Sequence, residues 1–234
     1  MSPNHLQDLK RAAALRALDF VQDGMKLGLG TGSTAELFLE ALAERMHAGL
    51  KVTGTPTSER TALKAGALGI PLEELDALGR LDLVVDGADE ADSGLNLIKG
   101  GGGALLREKI VAASADRMVV IADESKLVPR LGAFPVPVEV VPFGHGTTRA
   151  RIVAAAAGLG YESLAPVLRA REGAPYRTDS GNLIYDCPFG AILNVAALAA
   201  ALSPITGVVE HGLFVQMASA LVIAGASGVR VIER

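Results

Sequence analysis

Four short loops carry most of the residues in this chain that could do chemistry, and each follows a short apolar run. Each loop combines small residues with charged or hydroxyl side chains. Ligands of an open parallel sheet bind outside the carboxyl ends of its strands, so we expect the four loops to meet in one polar crevice. In chain order the loops are Thr31-Gly32-Ser33-Thr34, Asp86-Gly87-Ala88-Asp89-Glu90, Lys99-Gly100-Gly101-Gly102-Gly103 and Asp123-Glu124-Ser125-Lys126.

The first loop offers an anion site between a strand and a helix. Backbone N–H groups at a helix N-terminus bind anions, and Ser33 and Thr34 add hydroxyl groups that can also cap the helix. The segment GLGTGST lacks the lysine of a Walker A loop, and Ser33 stands where a dinucleotide fingerprint has its third glycine. A phosphate cradle and an ordinary tight turn both remain open for this loop.

The second loop is acidic and begins at Asp86, directly after the apolar run LDLVV. Its spacing differs from the D-x-D-x-D-G pattern of a calcium-binding EF-hand. A solvated acidic turn is the plain alternative to a functional loop. The position of Asp86 at the end of a strand that is predicted to be buried on both faces weighs against that alternative.

The third loop places four consecutive glycines, residues 100–103, after Lys99. Such a run is costly in backbone entropy, and it suits a backbone that must approach a ligand closely with its N–H groups converging. A flexible linker is the alternative. Strand and helix patterns adjoin the run on both sides, which favours a ligand-binding loop.

Glu108 follows on a helix predicted over residues 104–115. Its neighbours on the helix surface are apolar, and a second apolar stripe predicts a helix that is buried nearly all round. A carboxyl in apolar surroundings has a raised pKa, and such a group near a ligand-binding loop is a candidate general base. An ion pair with Arg107 or Lys109 is the structural alternative, and the pattern alone does not decide between them.

Alternating strand and helix patterns must position these loops. The first half predicts strands at residues 25–30, 51–55, 81–85, 95–98 and 117–122 and helices at 6–20, 35–47, 58–66 and 104–115. Strands separated by helices imply βαβ units and a parallel sheet.

The pattern changes after residue 132. Strands at residues 135–141, 165–171, 183–186 and 207–210 and helices at 148–157 and 192–202 give the order β-α-β-β-α-β of a ferredoxin-like fold. Residues 213–224 and 229–232 are predicted to return to the first sheet. The predicted class is α/β: a Rossmann-like parallel sheet flanked by helices, residues 1–132 plus 211–234, with a smaller ferredoxin-like α+β domain, residues 133–210, inserted before the C-terminal strands.

Composition excludes several classes of function. The 234 residues carry 22 Lys and Arg against 26 Asp and Glu, so the net charge of −4 excludes a nonspecific nucleic-acid binder but not a small phosphate pocket. Aromatic residues are only 4% of the chain and Trp is absent, which argues against base stacking. The N-terminal segment indicates a helix rather than a signal peptide, and no apolar stretch reaches the roughly 20 residues that cross a bilayer.

Cysteine and histidine usage points to a reduced compartment and to catalysis without a metal. The single Cys187 permits no intrachain disulfide, which fits a cytoplasmic protein, and a buried thiol is favoured over a nucleophile. The histidines, at positions 5, 47, 145 and 211, are dispersed, so a zinc site is not expected.

In their order along the chain, the loops resemble those of ribose-5-phosphate isomerase, type A. The resemblance rests on GTGST, DGADE, KGGGGALLREK, IADESK and FPVPVEVVPF, and it extends to GNLIYD and GVVEHGLF. It implies interconversion of ribose 5-phosphate and ribulose 5-phosphate in the pentose phosphate pathway. It also implies a homodimer or tetramer that acts on a small sugar phosphate without a cofactor.

The resemblance also implies roles for individual residues. Glu108 is the catalytic base, and Asp86, Asp89 and Lys99 line the reacting end. Residues 31–34 and Lys126 hold the substrate and its phosphate, and Lys10 in the first helix matches a further phosphate contact. The full set expected to bind the substrate is Lys10, Thr31, Gly32, Ser33, Thr34, Asp86, Gly87, Ala88, Asp89, Lys99, Gly100, Gly101, Gly102 and Lys126.

The chemistry of an aldose–ketose isomerisation agrees with these residues. One carboxylate can move a proton between C2 and C1 through a cis-enediol(ate), while Lys99 and the N–H groups of residues 100–103 stabilise the developing oxyanion. Asp86 is the candidate acid–base for opening the sugar ring. A metal-assisted hydride shift is the other known route, and the chain offers no convincing ligand set for it.

Two rival functions remain. Effector domains of bacterial sugar-phosphate-sensing repressors are related binding modules, but they need a helix-turn-helix domain, and the segment before the first strand is too short for one. A coenzyme A transferase-like enzyme would use a glutamate at the sheet edge as a nucleophile, and its larger cofactor calls for a longer chain or a second subunit. Activity with ribose 5-phosphate discriminates all three.

Overall fold

The structure, a computed structural model, describes residues 3–233. Within that range the helices are α1 (Pro3–Ala17), α2 (Ser33–His47), α3 (Glu59–Ala67), α4 (Leu75–Leu78), α5 (Leu105–Ala113), α6 (His145–Ala157) and α7 (Val195–Leu202), with short 3-10 turns at Leu18–Phe20 and Glu124–Lys126. The strands are β1 (Lys26–Leu29), β2 (Thr53–Pro56), β3 (Leu81–Asp86), β4 (Glu90–Ala91), β5 (Leu97–Ile98), β6 (Ala115–Asp123), β7 (Val136–Val140), β8 (Val167–Leu168), β9 (Ala170–Arg171), β10 (Ala174–Pro175), β11 (Leu183–Cys187), β12 (Val208–His211), β13 (Leu213–Phe214), β14 (Ala220–Gly225) and β15 (Gly228–Glu233).

The central sheet has six strands in the order β15-β14-β6-β3-β1-β2. β15 is antiparallel to β14, and every other neighbouring pair is parallel. The chain runs from β1 outward to β2 and then returns to β3 on the other side of β1. The loops after β1 and β3 therefore leave the same edge side by side, at the switch point where open α/β sheets bind ligands.

Both faces of this sheet are covered, which explains why β3 is apolar over most of its length. Helices α1 and α2 cover one face, where Ala13 and Phe38 pack with Leu29 in one core cluster. Helix α5 and a small antiparallel sheet of β13, β5 and β4 contribute to the other core cluster, where Val111 and Phe214 pack with residues of β3 and β6. Of the helices described, none has the length and apolar character that crossing a membrane demands.

A second, antiparallel sheet of four strands has the order β12-β7-β11-β8. Helices α6 and α7 pack on it through Ile152 and Leu202, and this group has its own core cluster. The chain order β7-α6-β8-β11-α7-β12 is the predicted ferredoxin-like order, with the β9–β10 hairpin added between β8 and β11. The predicted α/β fold class is confirmed, and the proposed domain boundaries stay a prediction.

The strand expected at residues 95–98 does not belong to the central sheet. Its observed part, β5, pairs antiparallel with β4 and with β13. The acidic loop and the glycine run are therefore joined by a short hairpin rather than by a βαβ crossover. The hairpin still returns the chain to the same edge of the central sheet, because Asp89 N–H donates to the carbonyl of Ile98 at 2.8 Å.

Two expectations about helices were wrong. We expected Ser33 or Thr34 to cap α2, but Gly32 is the N-cap residue, with φ 127°, and Ser33 is already helical. The left-handed φ favours glycine at this position. Helix α5 is not buried all round either, since Ile110 is 48% exposed, and only the stripe that includes Glu108 and Val111 faces the interior.

Candidate active site

The loops after β1, β3 and β6 and the glycine run surround one cavity of about 180 Å³ at the edge of the central sheet. Every residue that we expected to bind the substrate lines this cavity, with the single exception of Asp86. The lining residues are Lys10, Thr31, Gly32, Ser33, Thr34, Ala35, Gly87, Ala88, Asp89, Lys99, Gly100, Gly101, Gly102, Glu108, Ala122, Asp123 and Lys126.

Lys99 is the centre of a buried charge cluster. Its Nζ lies 2.9 Å from Asp86 Oδ2 and 3.4 Å from Glu108 Oε2, and it donates a hydrogen bond to the carbonyl of Gly87 at 2.7 Å. Lys99 is 2% exposed, Asp86 is fully buried, and Glu108 is 4% exposed. Two carboxyls therefore share one ammonium group at the wall of the cavity.

Burial shifts the pKa of each member of this cluster. It raises the pKa of Glu108 to about 8; Lys99 opposes the shift, and the charge of Asp86 adds to it. Burial also raises the pKa of Asp86, against the effects of Lys99 and of two backbone N–H groups. For Lys99, burial lowers the pKa, but Asp86 and Glu108 together outweigh burial and the net shift is upward. A group that takes and returns a proton near neutral pH needs a pKa like that of Glu108.

The alternative ion pairs of Glu108 do not form. Arg107 lies 3.7 Å from Asp179 and 3.9 Å from Glu59, and Lys109 binds Glu210 at 2.8 Å. Both cations point away from the carboxyl of Glu108, whose ionic contact is with Lys99. Glu108 and Lys99 both line the cavity. The alternative that the sequence left open, an ion pair of Glu108 with Arg107 or Lys109, is therefore not observed.

Asp86 is fixed by the first loop. Its Oδ1 accepts hydrogen bonds from the N–H groups of Thr31 at 3.0 Å and of Gly87 at 2.7 Å. A Cβ atom at position 30 would lie 2.3 Å from the same oxygen, so only glycine allows this approach of β1 to Asp86. Asp86 thereby lies behind Lys99 and holds it, rather than lining the cavity itself.

The hydroxyl of Thr31 is engaged inside the protein. It donates to Ser58 Oγ at 2.8 Å and lies 2.8 Å from Thr57 Oγ1 and 3.0 Å from Thr61 Oγ1. Since the N–H of Thr31 binds Asp86, both donors of this residue serve the architecture of the loop. Sequence reasoning missed Thr57, directly after β2, and Thr61, on α3, because buried hydroxyl residues carry no chemical motif of their own.

The glycine run has two of its N–H groups already engaged. Gly101 N–H donates to Asp89 Oδ2 at 2.7 Å, and Gly103 N–H donates to the carbonyl of Gly100 at 3.0 Å. The N–H groups of Gly100 and Gly102 have no acceptor among residues 3–233. We expected all four N–H groups to converge on a ligand, and the structure leaves two for that purpose.

A cationic, N–H-rich end of the cavity lies at the start of α2. The first intrahelical bond runs from Glu36 N–H to the carbonyl of Gly32, so the N–H groups of Ser33, Thr34 and Ala35 lack helical acceptors. Lys10 of α1 donates to Ser33 Oγ at 2.9 Å. Lys126 reaches the same cavity from the 3-10 turn after β6. These groups can bind a dianion.

Three cavity-lining residues were absent from the predicted set: Ala35, Ala122 and Asp123. The two alanines carry no polar side chain that a sequence pattern could flag. Asp123 is 1% exposed, and its Oδ1 accepts from Ser125 N–H at 3.1 Å, which turns the chain toward Lys126. Within residues 3–233, no group of three or more His, Cys, Asp and Glu could hold a metal ion.

The chain is similar to known proteins over most of its length. A profile of the family described as ribose 5-phosphate isomerase A (phosphoriboisomerase A) matches residues 53–228. A ribose-5-phosphate isomerase A of Bradyrhizobium diazoefficiens is 57% identical, covering 98% of this chain and 97% of its own length. One of Nitrobacter hamburgensis is also 57% identical, covering 98% and 99%.

Two solved structures are similar over nearly the whole chain. The ribose 5-phosphate isomerase of Plasmodium falciparum is 39% identical with a TM-score of 0.93, covering 97% of this chain and 99% of its own. A D-ribose-5-phosphate isomerase in complex with phospho-erythronic acid is 38% identical with a TM-score of 0.91, covering 98% and 99%. This chain therefore belongs to the ribose-5-phosphate isomerase A family.

Proposed function

We propose that this protein interconverts D-ribose 5-phosphate and D-ribulose 5-phosphate by proton transfer through a cis-enediol(ate). The observation that carries the proposal is the carboxyl of Glu108, which is buried on the wall of the cavity, 3.4 Å from the ammonium group of Lys99. Membership of the isomerase family supports the same substrate.

Glu108 moves the proton. As a carboxylate it takes the proton from C2 of the open-chain aldose and returns it to C1, so one group serves both half-reactions. Its raised pKa makes the carboxylate a stronger base than an exposed glutamate, while the ionised form still exists near pH 8. The protonated intermediate state of Glu108 is tolerated because burial favours the neutral acid.

Lys99 stabilises the oxyanion that develops on the carbonyl oxygen. Its ammonium group is held by Asp86 and by the carbonyl of Gly87 before the substrate arrives. A preorganised donor of this kind needs no reorganisation at the moment of reaction. The N–H groups of Gly100 and Gly102 add donors on the same wall.

Ring opening needs a second acid–base group. Asp86 was the candidate for this group, but its carboxylate touches the ammonium group of Lys99 rather than the cavity, so we assign it the role of holding Lys99. Asp89 is the half-buried carboxylate on the cavity wall, where it can exchange a proton with a sugar hydroxyl during ring opening. The phosphate lies at the opposite end, on the N-terminus of α2 with Lys10 and Lys126.

The test is an assay of the purified protein with ribose 5-phosphate that follows the formation of ketopentose. The same reaction in deuterated water should place solvent deuterium in the product, at least in part. Exhaustive chelation should leave the rate unchanged. Absence of product would overturn the substrate assignment. Product without solvent deuterium, together with metal-restored activity after chelation, would indicate a hydride shift instead.

The assembly and location of the protein stay predictions. The family resemblance implies a homodimer or a tetramer, and light scattering of the purified chain measures this directly. A cytoplasmic location is consistent with the buried, unpaired Cys187, and fractionation of the source cells tests it.

A further inference from the structure

A residue of the second sheet holds the glycine run in place. Arg169 lies between β8 and β9, and its Nη1 donates to the carbonyl of Gly100 at 2.8 Å and to that of Gly101 at 3.3 Å. Arg169 itself does not line the cavity. Any effect that it has on a bound ligand therefore runs through the backbone of the glycine run.

The two hydrogen bonds fix the direction of two peptide groups. In a planar trans peptide, the C=O and the following N–H point in opposite directions. The carbonyl of Gly100 faces Arg169, and the N–H of Gly101 accordingly faces Asp89, its partner at 2.7 Å. The carbonyl of Gly101 also faces Arg169, so the N–H of Gly102 points away from the guanidinium, toward the side on which the cavity lies.

The guanidinium is anchored at its other edge. Arg169 Nε donates to Asp186 Oδ2 at 3.0 Å, and a second guanidinium nitrogen pairs with Asp186 Oδ1. The side chains are 15% and 26% exposed, so the pair is largely shielded from water. A bidentate pair of this kind fixes the plane of the guanidinium as well as its charge.

We propose that Arg169 is a positioning residue for the isomerisation: it aims the Gly102 N–H at the substrate oxygen that becomes negative in the enediolate. The inference rests on the proposed function. Glycine at positions 100–103 leaves the peptide groups free to rotate, and Arg169 removes that freedom. The guanidinium also polarises the Gly101–Gly102 peptide, which strengthens the donor.

The decisive variant is Arg169→Gln, which removes the charge and keeps a polar side chain. A lost oxyanion donor costs about 10²–10³-fold in kcat, and a misaimed one costs less, so we expect kcat to fall by about 10–100-fold with KM for ribose 5-phosphate changed by less than about threefold. Arg169→Lys should recover part of the lost kcat. Arg151→Gln is the control, because Arg151 is exposed on α6, which packs on the same sheet, and its hydrogen bond within residues 3–233 is to the carbonyl of Thr206.

Binding of two probes locates the effect. Arg169→Gln should weaken the binding of 4-phospho-erythronic acid, whose carboxylate presents a negative oxygen at the end remote from the phosphate. It should leave the binding of inorganic phosphate unchanged. Calorimetry measures both. If Arg169→Gln does not fold, Asp186→Asn carries the test, since it keeps the guanidinium, frees its outer edge and should show a smaller loss of kcat with the same unchanged KM.

The outcomes separate this inference from the function on which it rests. A wild-type protein that does not isomerise ribose 5-phosphate overturns the function. An active wild type whose Arg169→Gln variant keeps kcat within about twofold overturns the positioning role alone. The role also fails if the variant loses both probes equally, or if Arg151→Gln reproduces the loss of kcat.

Discussion

The carboxylate of Glu108 lies 3.4 Å from the ammonium group of Lys99, and the two side chains are 5% and 2% exposed. At this distance and burial, the charge of each group shifts the pKa of the other, against the effect of burial. Asp86 adds a second negative charge to the cluster, so the three groups carry a net charge of −1 when all are ionised. One proton taken up by Glu108 neutralises the cluster, which is the state reached after proton abstraction from the sugar.

Glu108→Gln should fold normally and lose most of its turnover. The amide preserves the shape of the side chain and cannot accept a proton, and loss of a general base costs about 10²–10⁴-fold in rate. Steady-state kinetics together with thermal unfolding measure both properties. A folded Glu108→Gln protein with near-wild-type kcat would contradict the assignment.

Glu210→Gln is the matched control for that variant. Glu210 also pairs with a lysine, Lys109, at 2.8 Å, but it lies outside the cavity. If the role of Glu108 were only structural, the two variants would behave alike, with lost stability and retained activity. We expect them to diverge in kcat.

The pH profile of kcat/KM should have an acidic limb well above the ordinary range for glutamate. The pKa of Glu108 is raised to about 8 by burial, and the base acts only in its ionised form. Activity should therefore fall as the pH drops through about 8 and reach its plateau above that value. An acidic limb at pH 4–5, near the unperturbed value of about 4.3, would show that no buried carboxyl controls the reaction.

Lys99→Met should abolish turnover and make stability more sensitive to pH. Lys99 lowers the pKa of both Asp86 and Glu108, so its loss raises both values further above those of the unfolded chain. The folded protein then binds more protons than the unfolded one, and its free energy of unfolding falls as the pH rises. Leaving a buried charge unpaired costs about 3–5 kcal/mol, and we expect the larger loss at pH 9 and the smaller at pH 6.

Denaturant unfolding at the two pH values checks this prediction. Lys109→Met is the control. Lys109 lies over the same Phe214 ring as Lys99, but it pairs with Glu210 and donates to the carbonyls of His211 and Leu213, and it does not line the cavity. This variant should destabilise the protein with a smaller effect on turnover. An equal loss of stability at both pH values in Lys99→Met would mean that the carboxyls do not depend on Lys99 for their charge.

Much of the site could be predicted because its residues follow strand ends. Asp86 and Lys99 directly follow recognisable apolar runs, Lys126 lies in the loop after another, and strand and helix patterns adjoin the glycines at 100–103 on both sides. The buried face of α5 was also predictable from its spacing, which placed Val111 and Glu108 on one stripe. The exposure of Ile110 could not be predicted, because a short helix with apolar residues on both sides gives no indication of which side is buried.

The supporting contacts could not be predicted, because they join segments that are distant in the chain. Arg169 reaches Gly100 across 69 residues, and Thr31 reaches Thr57 across 26. Nothing local in either segment specifies the partner. The contact of Arg169 forms only once the ferredoxin-like sheet docks beside the central sheet, and that of Thr31 only once β1 and β2 pair. The predicted N-cap of α2 was wrong for a different reason. Hydroxyl residues are preferred at N-cap positions, but the turn requires a left-handed φ there, and Gly32 adopts it.

Lys126 is expected to bind the phosphate of the substrate. Lys126 lines the same cavity as the N–H groups at the start of α2, and Lys126→Ala should reduce kcat/KM for ribose 5-phosphate by about 10–100-fold, since hydrogen bonds to charged groups contribute about 1.5–3 kcal/mol. Free ribose should be a very poor substrate, and inorganic phosphate should compete weakly. The effect on KM should be the larger, with a smaller effect on kcat if the phosphate also orients the reacting end.

A double cycle of two proteins and two substrates isolates the contact. Lys126→Ala should change kcat/KM for free ribose far less than for ribose 5-phosphate, because ribose has no phosphate with which to lose contact. Lys64→Ala is the control; Lys64 forms an ion pair with Glu40 at 2.6 Å, away from the cavity, and should leave both substrates unaffected. If Lys126→Ala damages both substrates equally, Lys126 shapes the cavity instead of binding the phosphate. The dianion would then depend on Lys10 and the N-terminus of α2, and Lys10→Ala should show the substrate dependence that Lys126→Ala lacks.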